Sequence, residues 1–455
     1  MPSYTRELKM VLALSAPVAL TQLGLMTIGV VDTLMLSHLG VESLAAGAVG
    51  NAWQWTFLSF GLGLVTGIDP LISQAHGRGD GPAAALGLQR GIVLALLVSI
   101  PIMAAMALTE RGLLLLGQDP GTVALAARYN LYKLPTVPGF LVYAALRAYL
   151  QGRTLMAPAT WVMWIGNAVH ALLNWALIFG HLGSPPLGVV GAAVASSIST
   201  TFMVALLVIW IILLRLHEDA WRPWDRASLS LSGLALNARL GAPIGVQLML
   251  EGSAFSISTW MAGWLGRDAL ASHQLVLNMA ALTFMVPVGI AQGAATRVGN
   301  LIGAGDATGL QRAAHASIAL GAFVMLFSAA AFALLRFQLP RLYTQDAGVV
   351  LLAAQILPVA AAFQVSDGTQ VVASGVLRGM GRPDAAAIAN LVGYYVVALP
   401  GAYLLGFWLD QGLVGIWMGL AAGLALVAGA LLVWVRRTLS RPLAALRVRA
   451  ESPAT

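Results

Sequence analysis

The sequence predicts an all-α integral membrane protein, with twelve transmembrane helices arranged as two six-helix bundles in parallel repeat. Three observations carry this. Of 455 residues, 59% are hydrophobic and only 9% are charged, whereas a soluble domain carries about 25% charged residues. Apolar runs recur at the length of roughly 20 residues needed to cross ~30 Å of hydrocarbon. The second half of the chain also repeats the first in a nearly constant register.

Hydropathy, interrupted by charged and Gly/Pro-rich breaks, places the spans at 10–36, 44–75, 88–108, 121–146, 157–180, 187–214, 240–264, 270–301, 313–335, 347–377, 385–408 and 412–435. The first apolar run is too long for a cleaved signal peptide and is expected to be retained as a span. The chain has no cysteine, which excludes disulfides, thiolate metal sites and a Cys nucleophile. Its 25 Lys and Arg give a net charge of +7. Nineteen of them, among them Arg6, Lys9, Arg78, Arg153, Arg222, Arg382 and Arg437, fall in the even-numbered connections and at the two ends. Arg111, Arg128, Lys133, Arg267, Arg336 and Arg341 fall on or towards the other side. By the positive-inside rule both termini are then cytoplasmic. The basic tail meets anionic lipid headgroups, and no nucleic-acid partner is needed to explain it.

The repeat is visible in "LSAPVALTQLG" and "LGAPIGVQLML", which place Pro17 over Pro243 at a shift of 226. At that shift Leu39-Gly40 falls on Leu265-Gly266, and Gly77, Gly79 and Asp80 fall on Gly303, Gly305 and Asp306. Six spans per half give both halves the same orientation, a parallel duplication of the kind found in some transporters. The expected domains are 1–214 and 240–436, joined by a solvated cytoplasmic linker at 215–239 and followed by a basic tail at 437–455. Gly63 and Gly67 form a GxxxG pair and suggest close helix packing.

Of eighteen Asp and Glu, four lie inside spans: Asp32, Asp69, Glu251 and Asp367. A charged acid at mid-bilayer costs roughly 2.5–3.5 kcal/mol on insertion scales, so such residues face a partner or a cavity. A structural salt bridge is the plain alternative, but Lys133 is the one base deep in a span, with Arg128 near the end of the same span. Glu251 is about twelve residues into span 7, ~18 Å along the helix and near the midplane. Asp367 in span 10 lies at a similar level, so the two could share one cavity. Asp32 belongs to the outer half of the membrane. Asp69 lies nearer the cytoplasm and precedes Pro70, which suits a gating or helix-end role as well as it suits ligand binding. The repeat sets Asp32 on Ser258 and Glu251 on Leu25, so the acids are not copies of one another.

Asn167, His170 and Asn174 are spaced three and four apart and share a helical face, as do Gln274 and Asn278. Such amides also hydrogen-bond neighbouring helices for packing alone, and a histidine can be a satisfied core residue. Sixteen Met and thirteen Trp suit an adaptable apolar cavity and interfacial belts.

The stretches "VDTLMLSHLG", "DPLISQAHGRGD", "QLMLEGSAFSISTWMAGWLG", "ATRVGNLIGAGD" and "SDGTQVVASGVLRGMGRPD" resemble the multidrug and toxic compound extrusion (MATE) transporters, in their NorM-like branch, over essentially the whole chain. The resemblance implies a V-shaped pair of bundles in a bacterial inner membrane. It also implies a monomeric antiporter that exports amphipathic, mostly cationic drugs and dyes in exchange for Na⁺ or H⁺. Asp32 and Asn174 match the branch's acid and amide in spans 1 and 5, and Glu251 and Asp367 match its second-half acids. The resemblance thus assigns ion or substrate binding to Asp32, Asn174, Glu251 and Asp367, with His170, Gln274 and Asn278 as polar neighbours and Na⁺ as one candidate ligand of Glu251 and Asp367. Phe363 stands where some relatives carry a cation-holding Tyr, and His170 where some have a second amide; both departures leave the coupling ion open.

No P-loop or nucleotide fingerprint is present, so neither ATP nor another cofactor is expected. A lipid-linked oligosaccharide flippase is the nearer alternative, though buried acids favour cations over a pyrophosphate. An intramembrane enzyme is the more distant one, since no Ser/His/Asp arrangement or metal cluster is legible.

Overall fold

In a computed structural model, residues 4–448 are described; Arg449 and the rest of the tail lie outside them. Among the described residues all regular structure is helical. The first half contains α1 (Tyr4–Ser37), α2 (Val41–Thr66), α3 (Asp69–Gly77), α4 (Gly81–Ala107), α5 (Thr109–Leu115), α6 (Pro120–Lys133), α7 (Thr136–Gly152), α8 (Ala157–Phe179) and α9 (Val189–Leu213). The second contains α10 (Leu231–Trp264), α11 (Arg267–Ala304), α12 (Ala307–Leu334), α13 (Gln338–Arg341), α14 (Ala347–Gly379), α15 (Asp384–Asn390), α16 (Leu399–Tyr403) and α17 (Gly412–Leu439). π-helical turns at Leu391–Ala398 and Leu404–Trp408 make α15 and α16 one continuous span.

Ten of these segments are long and apolar enough to cross a membrane. The two that complete twelve have local reasons for scoring lower. The fourth span is broken between α6 and α7 at Leu134-Pro135, where the proline ring and its missing N–H stop the helix. In α10, Gln247 and Glu251, with Arg239 and several Ser and Thr, dilute the apolar residues along its 34 positions. Pro17 and Pro243, by contrast, lie inside unbroken helices, as membrane bundles allow.

The repeated motifs have a local explanation. Gly79 and Gly305 take positive φ (74° and 79°), ending one helix in the left-handed region that glycine enters without a Cβ penalty. Asp80 and Asp306 then cap the next helix, accepting from Ala83 N at 3.0 Å and Gly309 N at 2.8 Å. Gly40 and Gly266, also 226 apart, open α2 and α11 at φ 105° and 110°.

The chain forms two compact units, whose borders fall inside helices: one holds residues 20–245, the other residues 4–19 and 246–448. The two borders, 19/20 and 245/246, are again 226 apart. In the first unit the opening half of α10 packs on α2; a Cβ on Gly63 would sit 2.1 Å from Gly245 N, and one on Gly67 2.5 Å from Gly241 N. In the second, the opening half of α1 packs on α11; a Cβ on Gly289 would meet Ala19 N at 2.6 Å and one on Gly293 would meet Ser15 Oγ at 2.5 Å. Gly63 and Gly67 shifted by 226 are Gly289 and Gly293, so one packing device serves both units. Glu7, fully buried, closes the second with a bidentate pair to Arg297 (2.7 and 2.8 Å).

The connection before α10 is shorter and better anchored than a solvated linker at 215–239. Helix begins at Leu231, and Arg90 donates to Ala227 O at 3.1 Å and Ser230 Oγ at 3.2 Å. Gln89 bonds Arg222 O and Ser228, and Tyr149 donates to Ala220 O at 2.7 Å. Backbone carbonyls of the connection thus accept hydrogen bonds from buried side chains of α4 and α7.

Candidate functional site

Two acid centres lie in different units. In the first, α1 carries Asp32 into contact with α8, where His170 and Asn174 project from one face one turn apart. Asp32 Oδ1 lies 2.8 Å from His170 Nε2 and accepts from Asn174 Nδ2 at 2.7 Å. All three are buried. His170 Nδ1 lies 3.1 Å from Ser199 Oγ on α9, and Ser199 in turn reaches Ser196 O at 3.1 Å. Asn167 on the same face of α8 has a packing role, with Nδ2 donating to Gly24 O at 3.0 Å and Met163 O at 2.9 Å.

An imidazole facing a carboxylate at this distance shares a proton with it: either Nε2 donates to an ionised Asp32, or a protonated Asp32 donates to Nε2. Lys133, the last residue of α6, is buried close by. Its Nζ lies 2.5 Å from Asn51 Oδ1 and 2.9 Å from Tyr129 OH, and its charge acts on Asp32.

In the second unit, α10 carries Glu251, half-buried, and α14 carries Asp367, buried. The two carboxyl groups lie within electrostatic reach of each other and of the Tyr394 phenol. Asp367 Oδ1 accepts from Gln370 Nε2 at 3.3 Å. Among the described residues no Lys or Arg forms an ion pair with either acid. One wall is aromatic: Phe255 packs edge-on to Phe363 (6.1 Å) and Tyr394 (6.0 Å), and Phe363 packs edge-on to Trp417 (5.6 Å). Phe363 is thus an apolar member of this cluster, one turn before Asp367. The Tyr394 hydroxyl, Trp417 Nε1 and His273 Nδ1 are buried without a hydrogen-bond partner among the described residues.

The structure thus groups Asp32 with His170 and Asn174, and Glu251 with Asp367. Gln274 and Asn278 are exposed on α11, while their neighbour His273 points inward to Thr259 Oγ1 at 3.2 Å. Asp69 is the first residue of α3, with Pro70 directly after it and Ser73 donating to its carbonyl at 2.7 Å. Tyr394, Trp417, His273 and Ser199 were not singled out from the sequence. An aromatic or a hydroxyl in a span scores as ordinary membrane sequence, and only the π-helical turn around Tyr394, of a type common at functional sites, marks it.

A chain of many apolar helices that keeps Asp32 hydrogen-bonded to His170 and Asn174, and Glu251 and Asp367 without a basic partner among the described residues, is a polytopic membrane protein with acids inside its spans. The chain belongs to the MatE family, whose match covers residues 17–176 and 243–404, two segments that start 226 residues apart at Pro17 and Pro243. It is 35% identical over 449 residues to a probable multidrug resistance protein NorM of Mesorhizobium japonicum, covering 95% of each chain. It is 32% identical over 440 residues to the multidrug resistance protein NorM of Photobacterium profundum, covering 94% of this chain and 95% of that one. Among solved structures it is similar to the eukaryotic MATE transporter AtDTX14 (TM-score 0.89, 23% identity, 98% of each chain). It is also similar to a mutant of the Vibrio cholerae MATE transporter VcmN (TM-score 0.88, 19% identity, 97% of this chain and 99% of that one). These likenesses show the fold.

Proposed function

We propose that the protein is a secondary active multidrug efflux antiporter that exports amphipathic, mostly cationic compounds in exchange for H⁺ or Na⁺. The observation that carries this is the Glu251–Asp367 pair, the first half-buried and the second buried, with no basic partner among the described residues. Two carboxylates close together inside a membrane span, one of them buried, are most stable when a proton or a cation accompanies them. A coupling ion and a cationic drug then compete for the same negative charge, which is what exchange requires. The aromatic wall of Phe255, Phe363 and Tyr394 suits a drug cation, and two carboxylates with the free Tyr394 hydroxyl supply the oxygen atoms that a hard cation prefers. Names of relatives such as multidrug resistance protein NorM support the substrate class.

In this reading both termini are cytoplasmic, the membrane is a bacterial inner membrane, the protein works as a monomer, and lipids and small molecules are its partners. Asp32, His170 and Asn174 form a second, separate ion or proton site, Asp69 serves the start of α3, and Gln274 and Asn278 offer polar contacts to substrate. The test is export of a fluorescent cationic dye from vesicles with a pH gradient or a Na⁺ gradient imposed separately. Export driven by one gradient and reduced at least about tenfold in Glu251→Gln and in Asp367→Asn, a loss of ~1.4 kcal/mol or more, supports the reading. Unchanged export in both variants overturns the assignment of the site, and no export under either gradient favours the lipid-linked oligosaccharide flippase.

A further inference from the structure

We propose that Tyr395 is a positioning residue for Glu251. Its hydroxyl, bound to the turn of α10 that carries the acid, fixes where the Glu251 carboxyl stands and so sets how tightly the site takes its coupling ion. The inference rests on the antiporter reading and names the group that orients one acid of that site.

The neighbours of Glu251 along α10 are tied to two other elements. One turn before it, Gln247 Oε1 accepts from Ser374 Oγ at 3.1 Å; Ser374 lies on α14, the helix that also carries Asp367. One residue before it, the Leu250 carbonyl accepts from the Tyr395 hydroxyl at 3.3 Å, and Ser253 Oγ lies 2.5 Å from the same hydroxyl. One turn after it, Phe255 packs edge-on to the Tyr394 ring at 6.0 Å. Two consecutive tyrosines of the π-helical turn Leu391–Ala398 thus hold α10 on either side of Glu251. Turns of this kind are frequent at functional sites.

The two hydroxyls in this contact are not equivalent. Ser253 also has partners on its own helix, Met249 O at 2.5 Å and Leu250 O at 3.3 Å, so it can turn back on α10 and needs no other element. The hydrogen bonds of Tyr395 both go to α10, and the link between the two spans is lost with its hydroxyl. The Leu250 carbonyl sits inside α10, where it also serves the N–H four residues on. A carbonyl oxygen has two lone pairs, so the phenol adds a bond to α10 without breaking its helix. The Tyr395 ring is half-buried against the core of the second unit, and a phenylalanine ring would pack in the same place. The hydroxyl can therefore be removed without leaving a cavity. Ion binding needs its ligands held to within about 0.5 Å by hydrogen bonds and packing behind them. The Tyr395 hydroxyl supplies such support to the turn that carries Glu251.

The alternative is that Tyr395 only holds the fold together, which would lower the amount of folded protein and leave ion affinity alone. Dye export is therefore measured against the concentration of the driving ion in Tyr395→Phe, in Ser253→Ala and in the double variant, each normalised to folded full-length protein. Tyr395→Phe should raise the half-saturating ion concentration about three- to tenfold, the scale of one hydrogen bond, and keep the maximal rate within about twofold of the wild type. Ser253→Ala should raise it less, and the double variant should match Tyr395→Phe alone, because both hydroxyls act through one contact. A half-saturating concentration that stays put in Tyr395→Phe, effects that simply add, or a Tyr395→Phe chain that does not fold each overturns the proposal. Labelling of Glu251 by a hydrophobic carbodiimide gives a second readout that needs no transport, with Asp32 in the same sample as reference. The rate at Glu251 should rise at least about threefold in Tyr395→Phe while that at Asp32 is unchanged; equal rates at Glu251 overturn the proposal. Absence of dye export by the wild type under every gradient would instead sink the antiporter reading, and the labelling rates would then decide the positioning role alone.

Discussion

Glu251 and Asp32 are both acids in spans, but their surroundings differ in kind. Asp32 has two polar side chains on one oxygen, whereas Glu251 has the carboxyl of Asp367 and an aromatic wall. The first difference was partly legible in the sequence, because His170 and Asn174 stand four apart and so share a helical face. The second was not, because Tyr394 and Trp417 are typical membrane residues whose value comes from pointing inward together. Tyr394 carries a residue-scale prediction. Its hydroxyl has no partner, so Tyr394→Phe should leave thermal stability within about 0.5 kcal/mol or slightly higher, since no hydrogen bond is lost. If the hydroxyl serves the species bound at Glu251 and Asp367, dye export should fall several-fold while the melting curve stays in place. A melting temperature that drops along with export would show instead that the phenol is part of the packing.

At the scale of elements, the recurring device is a helix that starts in one unit and continues in the other. GxxxG surfaces on α2 and α11, 226 residues apart, let α10 and α1 approach to backbone contact. The sequence displayed the first pair, but without coordinates nothing said which helix fills the groove, since glycine has no side chain to declare a partner. Gly63→Leu and Gly289→Leu should each lower stability by about 1–3 kcal/mol or more through overpacking. Gly429→Ala, where an added Cβ meets nothing within 4 Å, should raise it by about 0.4–1 kcal/mol through reduced freedom of the unfolded chain. Thermal melts of the purified variants check both signs; equal effects at Gly63 and Gly429 would deny that the close approach matters. The Asp80 and Asp306 caps show the opposite case. A Gly-Asp turn is chemistry local enough to be read from sequence, because a few neighbouring residues supply every atom involved.

For the whole molecule, the asymmetry of Lys and Arg predicts orientation. The absence of cysteine makes that prediction easy to check with single-cysteine variants in intact cells. Ser184→Cys, between α8 and α9, should react with a membrane-impermeant maleimide added outside, and Ser440→Cys, after α17, should react only once the membrane is opened. The reverse pattern would invert the topology and with it the direction of export. Export of dye under imposed gradients belongs to this scale too, since it needs both acid centres and every span.

By itself the sequence determined that the chain crosses a membrane about twelve times, that its halves are duplicates in one register, and that Asp32, Asp69, Glu251 and Asp367 lie inside spans. Those properties follow from run length, periodicity and the cost of charge in hydrocarbon, which neighbouring residues along the chain decide. Only the tertiary structure decided where the compact units divide, that the last connection before α10 ends at Ser230, and that Asp32 meets His170 and Asn174 while Glu251 has no basic partner among the described residues. Those depend on contacts between residues a hundred or more positions apart. The energy of a buried charge is set by what it faces in space, and no spacing along the chain records that.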